Sequence, residues 1–232
     1  MKNRIVILQP SYLPWLGYFD QIAKTDIFVF YDDVLYTKND WRNRNRIKSP
    51  QGAIWLTIPV SLPGRIRNQT LINQAVISDL SILKRHLKAI ELNYKKALYF
   101  SDVYDLLSKI MMKKYLCLAD LTIDLTMEIS NYLQIKHVTF MRSSSLNIHD
   151  SYPTGRLIKL CKYFDADNYL TGASAKNYLD ENSFGKSGII LNYQDYKHPI
   201  YHQLWGDFIP YLSVVDLLFN HGRNSLEILI NE

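Results

Sequence analysis

Apolar runs and helical spacing alternate along the first part of the chain. Residues 4–8 (RIVIL) form a short β-branched run that stops at Gln9 and Pro10, which is typical of a buried strand. The next stretch, SYLPWLGYFDQIAKTD, carries apolar residues on one face of a predicted helix that runs to about Thr25. The run IFVFY from Ile27 predicts a second buried strand. Strand, helix and strand in so short a span form a βαβ unit, which predicts a parallel sheet with a right-handed crossover.

The rest of the chain continues this alternation around a long helical tract. AIWLTIPV predicts a third strand and LINQAVI a fourth, whereas residues 79–133 predict three helices with Ser78 and Ser101 as N-caps. Strand patterns (VTFMRSSSL, NYLTG, GIILNY) and helix patterns (TGRLIKLCKYF, SAKNYL) then alternate, and two further helical patterns lie near the end. We therefore expect a single α/β domain over residues 1–232, with a mainly parallel, Rossmann-like sheet flanked by helices and a helical segment at 79–133.

A polar stretch interrupts this pattern between two predicted strands. Residues 32–52 (DDVLYTKNDWRNRNRIKSPQG) have neither helical nor strand periodicity, yet they include Val34, Tyr36 and Trp41 among their charges. In parallel α/β sheets, ligands bind beyond the carboxyl ends of the strands. The loops after four predicted strands begin with QPSYLPWLGY, YDDVLY, ASAKNYLD and QDYKHPIYHQ, and they should open on one edge of the sheet. We interpret the polar stretch as a wall of a ligand site, with a long solvated connection as the alternative.

Composition and charge narrow the possible partners. Of the 232 residues, 47% are hydrophobic and 21% charged, and the net charge is +5 with a pI near 9.0. The basic excess fits either a solvated surface or an anionic partner such as a phosphorylated ligand or a carrier-bound acyl group. RNA is disfavoured because the arginines of WRNRNRIK alternate with asparagines and lie near two aspartates, which dilutes the field that a phosphate backbone requires.

The cysteine content and the lengths of the apolar runs limit the cellular locations that the sequence allows. Cys117 and Cys161 are the only cysteines and lie in apolar helical patterns, so neither a disulfide framework nor a zinc site is indicated. The start MKNRIVILQP has an apolar run shorter than the roughly seven residues of a secretory signal. No apolar run approaches the length of about 18 residues that a membrane span needs. A cytoplasmic location without a membrane span is expected.

The first loop carries side chains that suit a sugar or a base. Gln9, Tyr12 and Trp15 follow the first strand, and aromatic faces stack on such ligands while amides make paired hydrogen bonds. The loop lacks a glycine-rich pattern, since Gly17 is the only glycine before Gly52, so a tightly cradled pyrophosphate is not expected. Packing at the strand end is the alternative role of these residues.

Two later segments supply candidate acid–base groups. Asp32 and Asp33 are adjacent on an extended chain and point opposite ways, so one is expected to enter the pocket and the other to pair with an arginine. No metal is expected, because no further Asp, Glu or His has metal-ligand spacing. His198 and His202 bracket HPIYHQ, and imidazole is the usual proton carrier near neutral pH. We favour His198 as the base because Pro199 fixes the backbone just after it, and His202 stays as the alternative.

Four long strings together resemble the WbqC-like protein family: LQPSYLPWLGYFDQIAKTDIFVFYDDV, YTKNDWRNRNRIKSPQGAIWLTIPV, YLTGASAKNYLD and YKHPIYHQLWGDFIPYLSVVDLLFNHG. The resemblance spans essentially the whole chain and is weakest in the middle helices. That family is associated with bacterial surface-polysaccharide (O-antigen) gene clusters, where unusual amino sugars are made and N-acylated. The resemblance therefore implies a role in lipopolysaccharide biosynthesis more firmly than it implies a particular reaction.

This role implies a transferase that moves an acyl or aminoacyl group onto the amine of a nucleotide-linked amino sugar. Both substrates would be attached to negatively charged carrier groups. These groups could pair with the arginines and lysines of the polar stretch. The catalytic residues expected on this basis are His198 and Asp33. The expected substrate-binding residues are Gln9, Tyr12, Trp15, Lys38, Asn43, Arg44, Tyr201 and Gln203. All of these except Lys38 are expected to converge in one cleft.

Two other function classes remain open at this point. An ATP-dependent carboxylate–amine ligase of nucleotidyltransferase-like fold would place its helix-opening motif at PWLGYFDQ, although the histidines of that motif are replaced here by Pro14, Trp15, Gly17 and Tyr18. A non-catalytic sugar or carrier-protein binding module would need the aromatic residues and arginines but no base. No tightly bound cofactor is expected. The acyl donor would be a coenzyme A or acyl-carrier-protein thioester, or ATP would serve in the ligase.

Overall fold

A computed structural model describes residues 3–62 and 69–230 of the protein. The strands in chain order are β1 (Asn3–Leu8), β2 (Ile27–Phe30), β3 (Arg44–Ser49), β4 (Gly52–Thr57), β5 (Val60–Ser61), β6 (Val76–Ile77), β7 (Thr139–Arg142), β8 (Ala166–Thr171) and β9 (Ile190–Tyr193). The helices are α1 (Leu16–Ala23), α2 (Ser81–Tyr94), α3 (Phe100–Met111), α4 (Leu118–Tyr132), α5 (Pro153–Tyr163), α6 (Glu181–Lys186), α7 (Val214–His221) and α8 (Ser225–Leu229).

The described residues form a central sheet of five strands in the order β7-β2-β1-β8-β9. Each neighbouring pair in this sheet is parallel. From β1 the chain adds β2 and then β7 on one side, whereas β8 and β9 are added on the other side. The direction of winding therefore reverses between β1 and β8, and a crevice opens beyond the carboxyl ends of those two strands. The predicted α/β fold with a mainly parallel sheet is confirmed.

Both faces of the sheet are covered, which explains why its central strands are almost continuously apolar. On β1, Val6 belongs to one buried cluster, whereas Ile5 and Ile7 belong to the other. The cluster around Val6 continues into α1, the helical segment α2–α4 and α7. The opposite cluster is closed by α5 and α6, through residues such as Leu157 and Phe184. The two faces thus follow directly from the alternation of side chains along a strand.

The helical segment contains three helices, α2 to α4, within the range that the sequence predicts. The two predicted caps are wrong. The N-cap of α2 is Leu80, and Ser101 lies inside the first turn of α3. The side chain of Asp79 instead accepts a hydrogen bond from the backbone N–H of Ser81, at 2.9 Å. Across residues 3–62 and 69–230, every helix is too short or too polar to cross a bilayer.

The polar stretch after β2 is not a loop throughout, because its second half forms β3. This strand pairs with β4 as an antiparallel hairpin, so the predicted third strand lies outside the central sheet. Asn45, Lys48 and Ser49 are buried in β3, and their polarity hides the strand pattern in the sequence. LINQAVI contains the 3₁₀ helix Ile72–Gln74 and the short strand β6, which pairs with β5, and SAKNYL overlaps the 3₁₀ helix Ala173–Asn177.

Candidate functional site

A cavity of about 600 Å³ lies beyond the carboxyl end of β1, where the winding of the sheet reverses. Its lining includes Gln9 after β1, Tyr31 after β2, Gly172 after β8 and Gln194 after β9. The loops after these four strands therefore open on one edge, as the sequence predicts for a parallel sheet. The β3–β4 hairpin and the N-terminal end of α5 complete the wall.

The lining is aromatic and carries one charged side chain among the residues that the structure describes. The aromatic residues are Trp15, Tyr18, Tyr31, Trp41, Tyr169, Tyr178 and Tyr196. Burial raises the pKa of Tyr18, Tyr169 and Tyr196, so these phenols stay protonated near neutral pH. The charged residue is Arg42. Apolar walls with a few placed polar groups are typical of small-molecule sites.

Arg42 holds a partly desolvated positive charge in this wall. Its Nη1 donates to the Ser11 hydroxyl at 2.9 Å, and its Nη2 lies 3.7 Å from the Asp40 carboxylate. The Nε–H has no hydrogen-bond partner among the described residues. Burial lowers the pKa of Arg42, but a guanidinium stays protonated at any physiological pH. The site therefore offers a fixed cation, which suits a phosphate or carboxylate.

A chain of polar side chains joins α1 to the end of β9 at the cavity. The Gln194 amide nitrogen donates to the Gly17 carbonyl at 2.8 Å and to the Asp20 carboxylate at 2.6 Å. Its amide oxygen accepts from Gln21 Nε2 at 2.8 Å. Asp20 is buried and forms an ion pair with Lys24 at 3.0 Å. Gln21 and Gln194 both line the cavity, so this network forms part of its surface.

Trp15 is held in place by its neighbours. Its ring packs edge-on against Tyr196, with centroids 5.4 Å apart. It also packs against the ring of Tyr211, with centroids 5.9 Å apart. The ring also lies directly over Gly17, where the absence of a Cβ atom makes room for it. Nearby, the Tyr18 hydroxyl donates to the Gln9 carbonyl at 3.2 Å. The wall after β1 is therefore preorganised by packing and not by the ligand.

Of the sequence-predicted site residues, Gln9 and Trp15 line the cavity. The other eight lie outside its lining: Tyr12, Asp33, Lys38, Asn43, Arg44, His198, Tyr201 and Gln203. The expectation that these residues, Lys38 excepted, share one cleft is therefore corrected. Tyr12 is fully buried, and its hydroxyl shares a hydrogen bond with His86 Nδ1 at 2.8 Å. Lys38 is exposed, and the Arg44 guanidinium lies on the hairpin surface, 4.6 Å from the ring centroid of Trp55.

The geometry of His198 does not suit a general base. Its Nδ1 lies 2.9 Å from the Pro199 carbonyl, and its Nε2 accepts from the Tyr211 backbone N–H at 3.1 Å. Burial lowers the pKa of His198, so the ring is neutral and both nitrogens are occupied by backbone. The Pro199 carbonyl thus restrains the histidine, which has the structural role of a side chain bonded to loop backbone. His202 is exposed and also lies outside the cavity lining.

Both aspartates after β2 pair with arginines, so the expectation that one enters the pocket is wrong. Asp33 accepts hydrogen bonds from Arg156 and from the Ser143 hydroxyl. Asp32 is fully buried and accepts from Arg142 Nε at 2.7 Å. These pairs tie the end of β2 to β7 and α5. The two carboxylates therefore stabilise the sheet edge, and neither belongs to the cavity lining.

The remaining predicted residues belong to a buried network behind the cavity. The Lys48 ammonium donates to Gln203 Oε1 at 3.0 Å, and the Tyr201 hydroxyl donates to Asp216 at 2.9 Å. Burial raises the pKa of Asp216, while hydrogen bonds from its partners act in the opposite direction. Asn43 donates to the Ile58 carbonyl at 2.8 Å. The Lys48–Gln203 contact joins the segment before α7 to the β3–β4 hairpin, whereas the Asn43–Ile58 bond closes the base of that hairpin.

Sequence reasoning missed several lining residues. Gln194 is the first residue after β9, and Tyr196 follows two positions later, so the strand-end rule covers both. Gln21 is a polar residue that is buried within α1, one turn after Tyr18. The sequence does place a glutamine in the helix that follows the first predicted strand, and this could have indicated a residue of the cavity wall.

The fold and the cavity define an α/β protein with a cavity at the switch point of a parallel sheet. A sequence model described as the WbqC-like protein family matches residues 9–228, so the chain belongs to this family. The chain is also 40% identical over 229 residues to the Uncharacterized protein Rv1507c of Mycobacterium tuberculosis, covering 98% of this chain and 97% of that protein. No solved structure matches the chain.

Proposed function

We propose that the protein is a transferase of bacterial surface-polysaccharide synthesis that binds a nucleotide-linked amino sugar in the cavity. One observation carries the proposal: Arg42 is the only charged side chain among the described lining residues, and it lies within an aromatic wall. A diphosphate would pair with the guanidinium, and the base and sugar would stack on rings such as Trp15 and Tyr31. Membership in the WbqC-like family supports the pathway.

The transferred group would be an acyl or aminoacyl group carried as a thioester. The sugar nitrogen attacks the thioester carbonyl, a C–N bond forms and the C–S bond breaks. The thiolate leaves and takes up the proton that the nitrogen loses, so the products are the amide and the thiol. The described lining contains no carboxylate, imidazole or thiol, so the rate enhancement would come mainly from alignment of the amine and the thioester. A coenzyme A or acyl-carrier-protein thioester is the proposed donor.

A second candidate function is a binding module without catalysis. It is favoured by the same composition of the described lining, which contains no carboxylate, imidazole or thiol. Such a module would hold a nucleotide sugar or a carrier-bound acyl group for another protein. The two candidates share the same ligand site and differ in whether a product forms.

Binding is tested by calorimetry with uridine- and thymidine-diphosphate sugars. Arg42→Gln should weaken binding at least about tenfold, because a charge-assisted hydrogen bond contributes about 1.5–3 kcal/mol. Arg44→Gln is the matched control, since Arg44 lies on the outer face of the hairpin and should leave affinity within about twofold. Absence of binding to the wild-type protein, or equal affinities for the two variants, would contradict the proposal.

Mass spectrometry of amino sugars incubated with the protein separates the chemical alternatives. One arm contains coenzyme A or acyl-carrier-protein thioesters, and the other contains ATP with free carboxylic and amino acids. An N-acylated sugar in the thioester arm supports the transferase. A product that forms only with ATP would replace it by the ligase, and sugar binding without any product would support the binding module.

A further inference from the structure

Two tryptophan rings lie side by side on the surface next to the cavity. Trp41 is 44% exposed and Trp55 is 48% exposed, and their ring centroids are 5.7 Å apart. Trp41 belongs to the cavity lining, whereas Trp55 lies on β4 and outside that lining. The pair of indole rings therefore continues the aromatic wall of the cavity onto the outer face of the β3–β4 hairpin. Because an indole ring has a large apolar surface, two neighbouring exposed rings indicate an interaction site.

Two arginines add positive charge to the same face. Arg46 lies opposite Trp55 in the antiparallel pair, and Arg44 lies two positions before Arg46, so all three side chains share one face. The guanidinium carbons of Arg44 and Arg46 lie 4.6 Å and 5.7 Å from the Trp55 ring centroid. Both guanidiniums donate hydrogen bonds to backbone carbonyls, and neither forms an ion pair with a carboxylate in the part of the chain that the structure describes. Trp41, Trp55, Arg44 and Arg46 together form a tryptophan–arginine surface that suits an anionic ligand.

The hairpin that carries this surface is fixed from its inner side. The amide nitrogen of Asn45 donates to the Leu13 carbonyl at 2.7 Å. The backbone N–H of Ser213 donates to the Arg46 carbonyl at 2.9 Å. Ile47, on the inner face of β3, belongs to the buried cluster around Val6. The rings and guanidiniums are therefore carried on a rigid support, which lowers the ordering cost of binding a ligand.

Exposed aromatic rings with unpaired arginines on a sheet face favour a nucleotide among anionic ligands. In RNA-binding domains, nucleobases stack on exposed aromatic side chains of a sheet, and arginines pair with phosphates or stack on bases. The proposed function places the nucleotide-linked sugar in the cavity, so the tryptophan–arginine surface is available to the second substrate. That substrate must also reach the cavity, and Trp41 belongs to both places. A nucleotide that carries its acyl group on a long arm meets both requirements.

We propose that the tryptophan–arginine surface binds the nucleotide of coenzyme A; this proposal rests on the proposed function. The adenine stacks on the exposed indole surface, and the phosphates pair with Arg44 and Arg46. The pantetheine arm passes Trp41 into the cavity, where its thioester meets the sugar amine. The arm of an acyl-carrier protein has the same thiol but no adenosine, so it would leave the indole pair uncovered. The acyl donor is therefore a coenzyme A thioester.

Calorimetry at about 0.15 M salt tests the proposal with coenzyme A, adenosine 3′,5′-bisphosphate and pantetheine. The first two carry the nucleotide and should bind to the wild-type protein. Pantetheine lacks the nucleotide and should bind at least about tenfold more weakly than coenzyme A. Trp55→Leu should weaken the binding of coenzyme A at least about fivefold through the loss of base stacking. Arg44→Gln should weaken it at least about tenfold through the loss of a charge-assisted hydrogen bond to phosphate.

Two exposed residues at the other edge of the sheet supply the controls. Arg4 lies near the start of β1, and its guanidinium also donates to a backbone carbonyl, so Arg4→Gln matches Arg44→Gln. Tyr163 ends α5 just before β8 begins, and Tyr163→Leu matches Trp55→Leu. Both controls should keep the affinity for coenzyme A within about twofold. Urea denaturation of each variant verifies the fold, and Arg44→Gln decides the question if Trp55→Leu does not fold.

The outcomes separate this proposal from the function on which it rests. Arg42→Gln should weaken the binding of nucleotide sugars and change the affinity for coenzyme A by less than about threefold, and Arg44→Gln should do the reverse. If nucleotide sugars bind but coenzyme A does not, or if Trp55→Leu and Arg44→Gln keep the wild-type affinity for coenzyme A, the proposal is overturned and the proposed function stands.

The same variants test the other occupants of the tryptophan–arginine surface. Binding of a holo-acyl-carrier protein or of an RNA oligomer, without binding of coenzyme A, would overturn the proposal and make the surface a docking site for that macromolecule. Binding of coenzyme A that requires Trp55 and Arg44, together with no binding of any nucleotide sugar, would support the proposal for this surface and overturn the proposed function of the cavity.

Discussion

A Cβ atom on Gly17 would lie 2.3 Å from Cη2 of Trp15. The indole ring therefore rests directly on the backbone of α1, in space that is available only because residue 17 has no side chain. Trp15 is the N-cap of α1 and Gly17 lies in the first turn of that helix, and the indole ring forms part of the cavity wall. The ring cannot bend away from an added atom, so it must rotate or the helix must move.

Gly17→Ala is expected to lower the free energy of unfolding by about 1–3 kcal/mol, because overpacking forces a displacement of Trp15. Helix propensity alone would favour alanine by about 1 kcal/mol. A lower free energy of unfolding would therefore be due to the contact between the added Cβ atom and the Trp15 ring. Urea denaturation measures the change. Gly185→Ala in α6 is the control, since its Cβ would meet no atom within 4 Å. Equal effects of the two substitutions would contradict the packing of Trp15 on Gly17.

The fold was predictable because its central strands are buried on both faces. The runs that contain Ile5 to Leu8 and Ile27 to Phe30 are almost wholly apolar, so both strands can be recognised from composition alone. Their parallel pairing follows from the helix that connects them. The edge that carries the cavity then followed from topology. The β3 strand could not be found in this way, because its buried positions include Asn45 and Lys48, whose partners lie far away in sequence.

The individual site residues were less predictable for a related reason. His198 is titratable and follows a strand, but its hydrogen-bond partners are the carbonyl of Pro199 and the N–H of Tyr211. Because nearly every residue carries these backbone groups, the sequence does not indicate which of them will bond to a side chain. Gln194 and Gln21 are uncharged and have no motif spacing. Their roles depend on a contact across 173 positions of the chain, which becomes visible only when the sheet is assembled.

Lys48 is expected to stabilise the fold although it is a charged residue in the interior. It is 1% exposed, and its ammonium donates to Gln203 and to the Asp207 carbonyl. Lys48→Met would leave these acceptors and the nearby Asp216 without the cation, so the free energy of unfolding should fall by about 3 kcal/mol or more. Urea denaturation of Lys48→Met and of the exposed Lys38→Met tests this.

Lys38→Met should change stability by less than about 0.5 kcal/mol, as is usual for an exposed side chain. If the two variants lose equal stability, the network around Lys48 does not depend on its charge.

His198→Ala is expected to affect stability and not ligand binding. The substitution removes two hydrogen bonds to backbone groups of the segment before α7, which should cost about 1–3 kcal/mol in the free energy of unfolding. The affinity for nucleotide sugars should stay within about twofold, because His198 lies outside the cavity lining. Denaturation and calorimetry on the same preparation measure both quantities. A hundredfold loss of turnover with unchanged stability would instead restore the general-base role.

His86 should make the protein less stable as the pH falls below neutrality. The residue is 5% exposed, and burial lowers its pKa from 6.5 to about 4, an effect partly offset by a backbone hydrogen bond at Thr57. Between these two values the unfolded chain binds a proton that the folded protein does not. The stabilising contribution is therefore complete above pH 6.5 and is lost as the pH falls towards 4, with a slope of at most about 1.4 kcal/mol per pH unit.

His86→Gln should flatten this pH dependence, because the amide can replace a neutral ring nitrogen as a partner of the Tyr12 hydroxyl but takes up no proton. The free energy of unfolding of both proteins is measured by urea denaturation at a series of pH values from 4 to 8. The exposed His149→Gln is the control and should keep the wild-type slope. The lowered pKa of His198 acts in the same direction, so a smaller slope should persist in His86→Gln. An unchanged slope in His86→Gln would show that His86 does not stay neutral in the folded protein.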